Sequence, residues 1–322
     1  MAIPAEALLS ALQLLLRASH LARADDVPPL VAQAAALIGA RRGLIYVIDY
    51  NHVTLVPFSA QDKRNGAQPL SVEATLAGRA FRDVTQHVGS TSDRLTLWTP
   101  LVDGTERLGV LELEFDPAFA IDDDARTVCR DLAAAVAEFT VTRTIYGDAY
   151  EQVRRLAPLT IPAEVQWSLL PPLTFVSSRV AIAGGLAPAT EVAGDSFDYS
   201  VNGDITHVGI VDAMGHGLEA TLLATVAIGA MRNGRRSGLS LIDIVTVMDA
   251  AIAAQFGPDK FVTAIVGELD TITGTWTWIT CGHPPALVVR GGRVVKTLDQ
   301  HVNAPLGLNM LRGHPDHLRR RV

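Results

Sequence analysis

Apolar residues recur at helical spacing near the start of the chain, at Leu8, Leu9, Leu12, Leu15 and Leu16. This period predicts helix within residues 5–40, with a second helix from Pro28 to Leu37. The run Gly43–Asp49 then reads as a strand, Asn51-His52 as a turn, and Val53–Pro57 as the returning strand of a hairpin. Residues 60–70 read as a polar loop that gives way to a helical pattern over Val72–Phe81, with Gly78 inside it. Leu95–Pro100 and Leu108–Phe115 pair as strands around Asp103-Gly104. Asp122–Phe139 is a helix whose acidic start suits the helix dipole. An apolar stripe of Val128, Leu132, Val136, Phe139, Tyr146, Val153 and Leu156 extends the pattern, interrupted by Gly147 and by Ala157–Pro162. That interruption predicts a first domain over 1–142, a helical linker over 143–160 and a second domain over 161–322.

The second half reads as strands with inserted helices. Strands are expected at Val180–Gly184, Ser196–Val201, Ile205–Asp212, Phe261–Leu269, Thr275–Cys281, Ala286–Arg290 and Arg293–Leu298. Helices are expected at Ile161–Leu170, Gly217–Met231 and Ser240–Gln255. Dominant strands joined by short turns predict an antiparallel sandwich with helices packed outside, so the fold class is α+β.

Composition narrows the picture. A chain of 322 residues, 48% hydrophobic and 19% charged, is globular and long enough for two domains. The net charge is −7, and the first 150 residues carry 13 basic against 19 acidic side chains. Neither half is basic, which argues against nucleic acid as a partner. Two cysteines, Cys129 and Cys281, exclude a disulfide framework and a four-cysteine zinc site, and fit a reduced compartment. With no apolar run of membrane length and no basic leader, the expectation is a cytoplasmic protein with no membrane partner.

The chemistry concentrates in Glu191-Val-Ala-Gly-Asp195-Ser-Phe-Asp-Tyr199 and Gly209-Ile-Val-Asp212-Ala-Met-Gly-His-Gly217. Between them lies Asn202-Gly203, a strong hairpin signal. A type I′ turn there sets Asp195 opposite Ile210, with Asp212 diagonal to Asp195 at ~7–8 Å on the same face. That face also carries Phe197, Tyr199, Val208 and Ile210, so it is expected to point into the core, with Asp198 solvated on the other side. Two carboxylates side by side repel unless a proton or cation intervenes, and a hard divalent ion suits oxygen ligands. Gly215, His216 and Gly217 then lead into a helix start, which favours an anion such as phosphate. A polar hairpin end with a helix cap explains the same residues equally well.

Two resemblances sharpen this. Trp98-Thr-Pro-Leu-Val-Asp-Gly104 and Glu106-Arg-Leu-Gly-Val-Leu-Glu-Leu113, in that element order, resemble the last strands of a GAF domain over roughly residues 5–142. That resemblance implies a sensor module with room for a small ligand and a tendency to homodimerise. The second half resembles the bacterial PPM phosphatases of the stage II sporulation protein E type. It does so through the Asp195 and Asp212 segments, Ala163-Glu-Val-Gln-Trp-Ser-Leu-Leu-Pro-Pro172, Phe261-Val-Thr-Ala264, Leu269-Asp-Thr-Ile-Thr-Gly274, Cys281-Gly-His-Pro-Pro285 and Pro305-Leu-Gly307.

This second resemblance implies an α-β-β-α sandwich holding two Mn²⁺ or Mg²⁺ ions. Metal-activated water attacks the phosphorus of a phosphoserine or phosphothreonine on an anti-anti-sigma (STAS) protein. Carried over, Asp195 and Asp212 are catalytic metal ligands and the Ala213 carbonyl is a third ligand. Gly215, His216 and Gly217 form the phosphate-side loop. Glu164, Gln166, Leu169 and Leu170 lie in the segment that matches the family's switch helix. The family's two further aspartates lie beyond its Pro-Leu-Gly motif, whereas here Leu311–Val322 matches nothing expected there and Asp316 stands in the wrong context. The expectation is therefore an incomplete sandwich with an exposed sheet edge, holding one hydrated ion or none. A metal-dependent phosphatase and a catalytically inactive binding module both remain open. Elsewhere the plainer readings are expected. His87 and His216 face solvent, His283 serves a structural turn, and Trp276 and Trp278 pack on one sheet face. Cys281 is buried, and Arg319–Arg321 is a solvated tail.

Overall fold

The computed structural model describes residues 3–186, 193–299, 302–310 and 318–321. The chain divides into two compact units, residues 1–158 and 159–322.

The first unit runs α1 (Ala5–Ala18), α2 (Val27–Leu37), β1 (Arg42–Ile48), β2 (Thr54–Pro57), α3 (Ala60–Arg64), β3 (Leu70–Ser71) and α4 (Leu76–Asp83). It continues with β4 (His87–Ser90), β5 (Leu95–Asp103), β6 (Glu106–Phe115), α5 (Asp123–Thr144) and α6 (Ala149–Arg154). Its antiparallel sheet has the order β3-β2-β1-β6-β5-β4. Strand β1 is an unbroken apolar run because both its faces are covered. Ile45 and Val47 pack with Val31 and Ala35 of α2 and with Leu132 and Val136 of α5. Leu44, Tyr46 and Ile48 pack on the opposite side with Phe81 of α4.

Four local expectations change here. The polar stretch 60–70 contains α3, capped where Ser59 accepts from the Gln61 amide. The helix expected from Val72 begins only at Leu76, because Thr75 caps it and accepts from Gly78 N at 3.0 Å. Residues 72–75 fold back so closely that a Cβ on Gly78 would lie 2.1 Å from the Val72 carbonyl oxygen. His87 is the first residue of β4, opposite Trp98, and is half-buried. The helix expected to run on through the linker stops at Thr144, and α6 is fastened to the first unit. There the Arg154 guanidinium lies 4.5 Å from the Tyr50 ring and 5.2 Å from the Tyr150 ring, and donates to the Ile48 carbonyl at 3.0 Å.

The second unit runs α7 (Ile161–Leu169), β7 (Thr174–Val176), β8 (Ala181–Ala183), β9 (Ala193–Asn202), β10 (Ile205–His216), α8 (Gly217–Arg236) and α9 (Leu241–Phe256). It ends with β11 (Val262–Asp270), β12 (Thr275–Cys281), β13 (Ala286–Arg290), β14 (Arg293–Leu298), β15 (Val302–Asn303) and β16 (Leu318–Arg321). The main sheet has the order β15-β12-β11-β10-β9, and β16 also pairs with β12. Arg319–Arg321, expected as a solvated tail, therefore lies in a strand that covers part of the β12 edge.

Helices α8 and α9 cover one face of this sheet, where Val211, Ala213, Val262, Ala264 and Val266 meet Leu223, Ala227, Ile228, Val245 and Met248. On the other face, among the described residues, stand two hairpins. The β13-β14 hairpin packs on Ile265 and Trp278 through Leu298, and β7-β8 lies against β9, with the Phe175 and Tyr199 rings 6.3 Å apart. These hairpins occupy the place where a sandwich has its second sheet. The Pro305-Leu-Gly307 motif is structural. Leu306 bridges to Val262, and Asp249, buried among the helices, accepts from Gly307 N at 2.6 Å.

Candidate functional site

The β9-β10 hairpin turns at Gly203-Asp204 rather than at Asn202-Gly203. Asn202 pairs with Ile205, and positive φ falls on Gly203 (60°) and not on Asp204. This is the glycine-first pattern of a II′ turn. The register thus moves by one pair from the expected one, and Asp195 lies directly opposite Asp212 instead of diagonal to it. Directly opposed residues bring their Cβ atoms to about 4.5–5.5 Å, so the carboxylates are closer than the expected turn allowed.

The face they occupy is also reversed. Asp195 and Asp212 are exposed, as is Ile210, on the face opposite α8 and α9. The helix-covered face carries Ser196, Asp198, Val211 and Ala213, all buried. Asp198, expected in solvent, takes Arg232 Nε and Nη2 at 3.0 and 2.7 Å and Arg235 Nη1 at 2.8 Å. The hydrophobic alternation of β9 and β10 is weak on both faces, so it could not decide which one the helices would claim. The two arginines of α8 make a buried aspartate tolerable.

Across the next ladder Asp212 faces Thr263 of β11, so Asp195, Asp212 and Thr263 form a row on one face. Thr263 Oγ1 is 2.7 Å from Nδ1 of His283, which follows β12. His283, expected only to shape a turn, is thereby a member of the site. Its sequence signal was the Gly282-His283-Pro284 run, whose purpose becomes visible only when β11 and β12 pair. Gly282 has φ 66°, bridges to Ala264, and has no room for a Cβ beside Pro305, 2.6 Å away.

The electrostatics couple these groups. Partial desolvation raises the Asp195 carboxyl above the usual carboxylate range although the residue remains exposed, Asp212 raises it further, and His283 offsets part of this. Desolvation lowers the His283 imidazole against the opposing pull of Asp212 and Asp195. Two directly opposed carboxylates, one of them raised in part by the other's charge, fit a cation between them. Among the described residues no group of three or more His, Cys, Asp or Glu side chains could hold a metal ion. The Ala213 side chain points into the core, and its carbonyl oxygen would be 2.2 Å from a Cβ on Gly194, so only glycine fits there.

Gly215 and His216 finish strand β10, and helix α8 starts at Gly217, where φ is 73°. His216 is exposed and makes no side-chain cap bond. Of the expected switch residues, Gln166 is buried and its Nε2 donates to the Asp195 backbone carbonyl. Leu169 packs on the helical core and its carbonyl accepts from Arg232 at 2.6 Å. Glu164 is exposed in the first turn of α7, and Leu170 caps that helix. A cavity of about 540 Å³ opens beside Asp195, lined by Gln166, Ile182, Phe197, Tyr199, Val208 and Ile210. Cys281 is buried, and burial pushes its thiol up to about 12, so it is no nucleophile at neutral pH. Glu191 and Val192 of the first motif, and Asp316, lie outside the described residues.

The fold and site define an antiparallel sheet backed by helices that carries an exposed, opposed aspartate pair suited to a divalent cation. Residues 202–318 match the family model described as Stage II sporulation protein E (SpoIIE). Phosphoserine phosphatase RsbP of Bacillus subtilis is 27% identical over 118 residues, covering 35% of this chain and 29% of that protein. The chain thus spans under a third of that relative. Among solved structures, the RsbU and RsbW domains of Rv1364c from Mycobacterium tuberculosis are 29% identical, with a TM-score of 0.36, over 42% of this chain and 37% of that one. The GAF domain of an Acinetobacter phosphoenolpyruvate-protein phosphotransferase is 14% identical, with a TM-score of 0.37, over 43% of this chain and 95% of that one. No helix among the described residues is long and apolar enough to cross a membrane.

Proposed function

We propose that this chain is a protein serine/threonine phosphatase that requires Mn²⁺ or Mg²⁺. Its substrate is a phosphoserine or phosphothreonine on a STAS-type anti-anti-sigma protein, and its first unit is a GAF-like regulator. The observation that carries this reading is the direct pairing of Asp195 with Asp212, the latter within the segment that matches the SpoIIE model. A divalent ion held by these two carboxylates would supply charge neutralisation for the phosphate dianion and would acidify water beside it. The chain's own residues do the rest. Asp195 and Asp212 fix the position of positive charge on the open face, and the Gln166 amide holds the Asp195 backbone. Two adjacent strands fix the aspartates' spacing with no loop between site and scaffold.

The test is phosphate release from a phosphoserine STAS protein by the purified chain with Mn²⁺, with Asp212→Asn as control. Release by the parent chain that is lost in the control supports the reading. A second reading is a catalytically silent module that binds the same partner. Binding to the phosphoprotein without any metal-dependent turnover would select it.

A further inference from the structure

The site contains one polar group that the aspartate pair does not explain. His283 is held from three directions. Its Nδ1 meets Thr263 Oγ1 at 2.7 Å, its neighbour Gly282 donates N–H to the Asn303 carbonyl at 2.9 Å, and Gly282 also abuts Pro305. A histidine that merely shaped a turn would not need its ring tied to the strand residue opposite Asp212. The ring is half-buried, and both Asp212 and Asp195 act on its charge.

We propose that His283 contacts the substrate: with Nδ1 accepting from the Thr263 hydroxyl, Nε2 carries the ring proton and donates a hydrogen bond to the ester oxygen that leaves with serine. This rests on the phosphatase reading above. In the hydrolysis the oxygen of water forms the new bond to phosphorus. The bond from phosphorus to the seryl oxygen breaks, its electron pair stays on that oxygen, and one proton from water ends there as serine departs. Negative charge builds on the leaving oxygen before that proton arrives, and the Nε2 donor steadies it. A donor fixed in advance is worth more than one that must reorganise during the reaction. Thr263 is a positioning residue that sets the tautomer.

The experiment compares two substrates on the full chain with Mn²⁺. One is a phosphoserine peptide, whose alkoxide is a poor leaving group. The other is p-nitrophenyl phosphate, whose phenolate leaves readily without help. The variants are His283→Ala and His283→Asn; asparagine keeps a polar atom near the Nδ1 position and has nothing at Nε2. Both should lower kcat on the phosphopeptide by about 100-fold, with KM little changed. Loss on p-nitrophenyl phosphate should stay below about tenfold. Melting of the metal-free His283→Asn chain should match the parent, which separates a chemical role from a folding defect. Equal losses on both substrates, or no loss on the phosphopeptide, would overturn the assignment of His283 alone. Absence of turnover by the parent chain on either substrate would instead overturn the phosphatase reading, and this inference with it.

Discussion

The side-chain amide of Gln166, on α7, donates to the backbone carbonyl of Asp195, on β9. This bond ties a short helix at the start of the second unit to the strand residue that carries one of the two site carboxylates. Gln166 is buried, and α7 is anchored at its other end where the Leu169 carbonyl accepts from Arg232. Movement of α7 would therefore be transmitted to the Asp195 backbone and to the spacing of the aspartate pair.

Replacing Gln166 with alanine should leave the second unit folded while loosening the Asp195 backbone. Groups that orient a ligand residue typically contribute 10–100-fold, so Mn²⁺ affinity should fall by roughly tenfold. Isothermal titration of Mn²⁺ into the parent and variant chains reads this directly. Equal affinities would mean that the bond is only packing.

Asp212→Asn should have opposite effects on activity and on metal-free stability. On the phosphatase reading, removing the carboxylate removes half of the proposed cation site, and turnover should fall by at least about 100-fold. In chelator-treated protein the same change removes repulsion on Asp195, whose carboxyl is raised first by desolvation and then by Asp212. The metal-free variant should therefore melt at or above the parent temperature at neutral pH. A clear drop in melting temperature would show that Asp212 has a structural partner instead.

Much of the second unit was legible because periodicity and turn chemistry act locally. The strands over 205–212, 262–269 and 275–281, and the helices after Gly217 and Ser240, fall close to where the pattern puts them. Asp195 and Asp212 were legible as a same-face pair, because a shift of one whole pair preserves the period of two. Most of what could not be read depended on partners distant in sequence, apart from one turn. The choice between turns at Asn202-Gly203 and Gly203-Asp204 is a small local difference. The burial of Asp198 depends on Arg232 and Arg235, more than 30 positions later. The role of His283 needs β11 beside β12, because Thr263 and His283 are 20 residues apart.

Asp198 offers a clean contrast with Asp195, three positions before it on the opposite face. It is almost fully buried against Arg232 and Arg235, whose guanidinium groups lie at 2.7 and 2.8 Å. Asp198→Ala leaves two cations without their anion, and breaking a buried pair in this way costs roughly 3–5 kcal/mol. Asp195→Ala removes an exposed group and should cost far less. Chemical denaturation of both variants checks the ordering. Comparable stability for the two would place the weight of the cluster on Arg232 and the Leu169 carbonyl.

In the first unit, Glu112 on β6 lies buried beside Tyr46, whose hydroxyl hydrogen-bonds it. Desolvation raises its carboxyl above the ordinary value, against the opposing pull of Arg42 and the Tyr46 bond. The folded state therefore holds the Glu112 proton more tightly than the unfolded state does. Its contribution is most favourable at low pH, below the unfolded carboxyl value of about 4.3, and is lost as pH rises through the raised folded value. Glu112→Gln keeps an acceptor for the Tyr46 hydroxyl and removes the charge, so it should stabilise the first unit at pH 7. It should change little below about pH 3, where the parent glutamate is neutral in both states. Hydrogen exchange of the β6 amides, followed across this range, isolates the first unit from the second. Protection in the variant should exceed the parent's increasingly as pH rises and then level off. Slower exchange in the parent at pH 7 would mean that Arg42 outweighs burial and that Glu112 is charged in the folded protein.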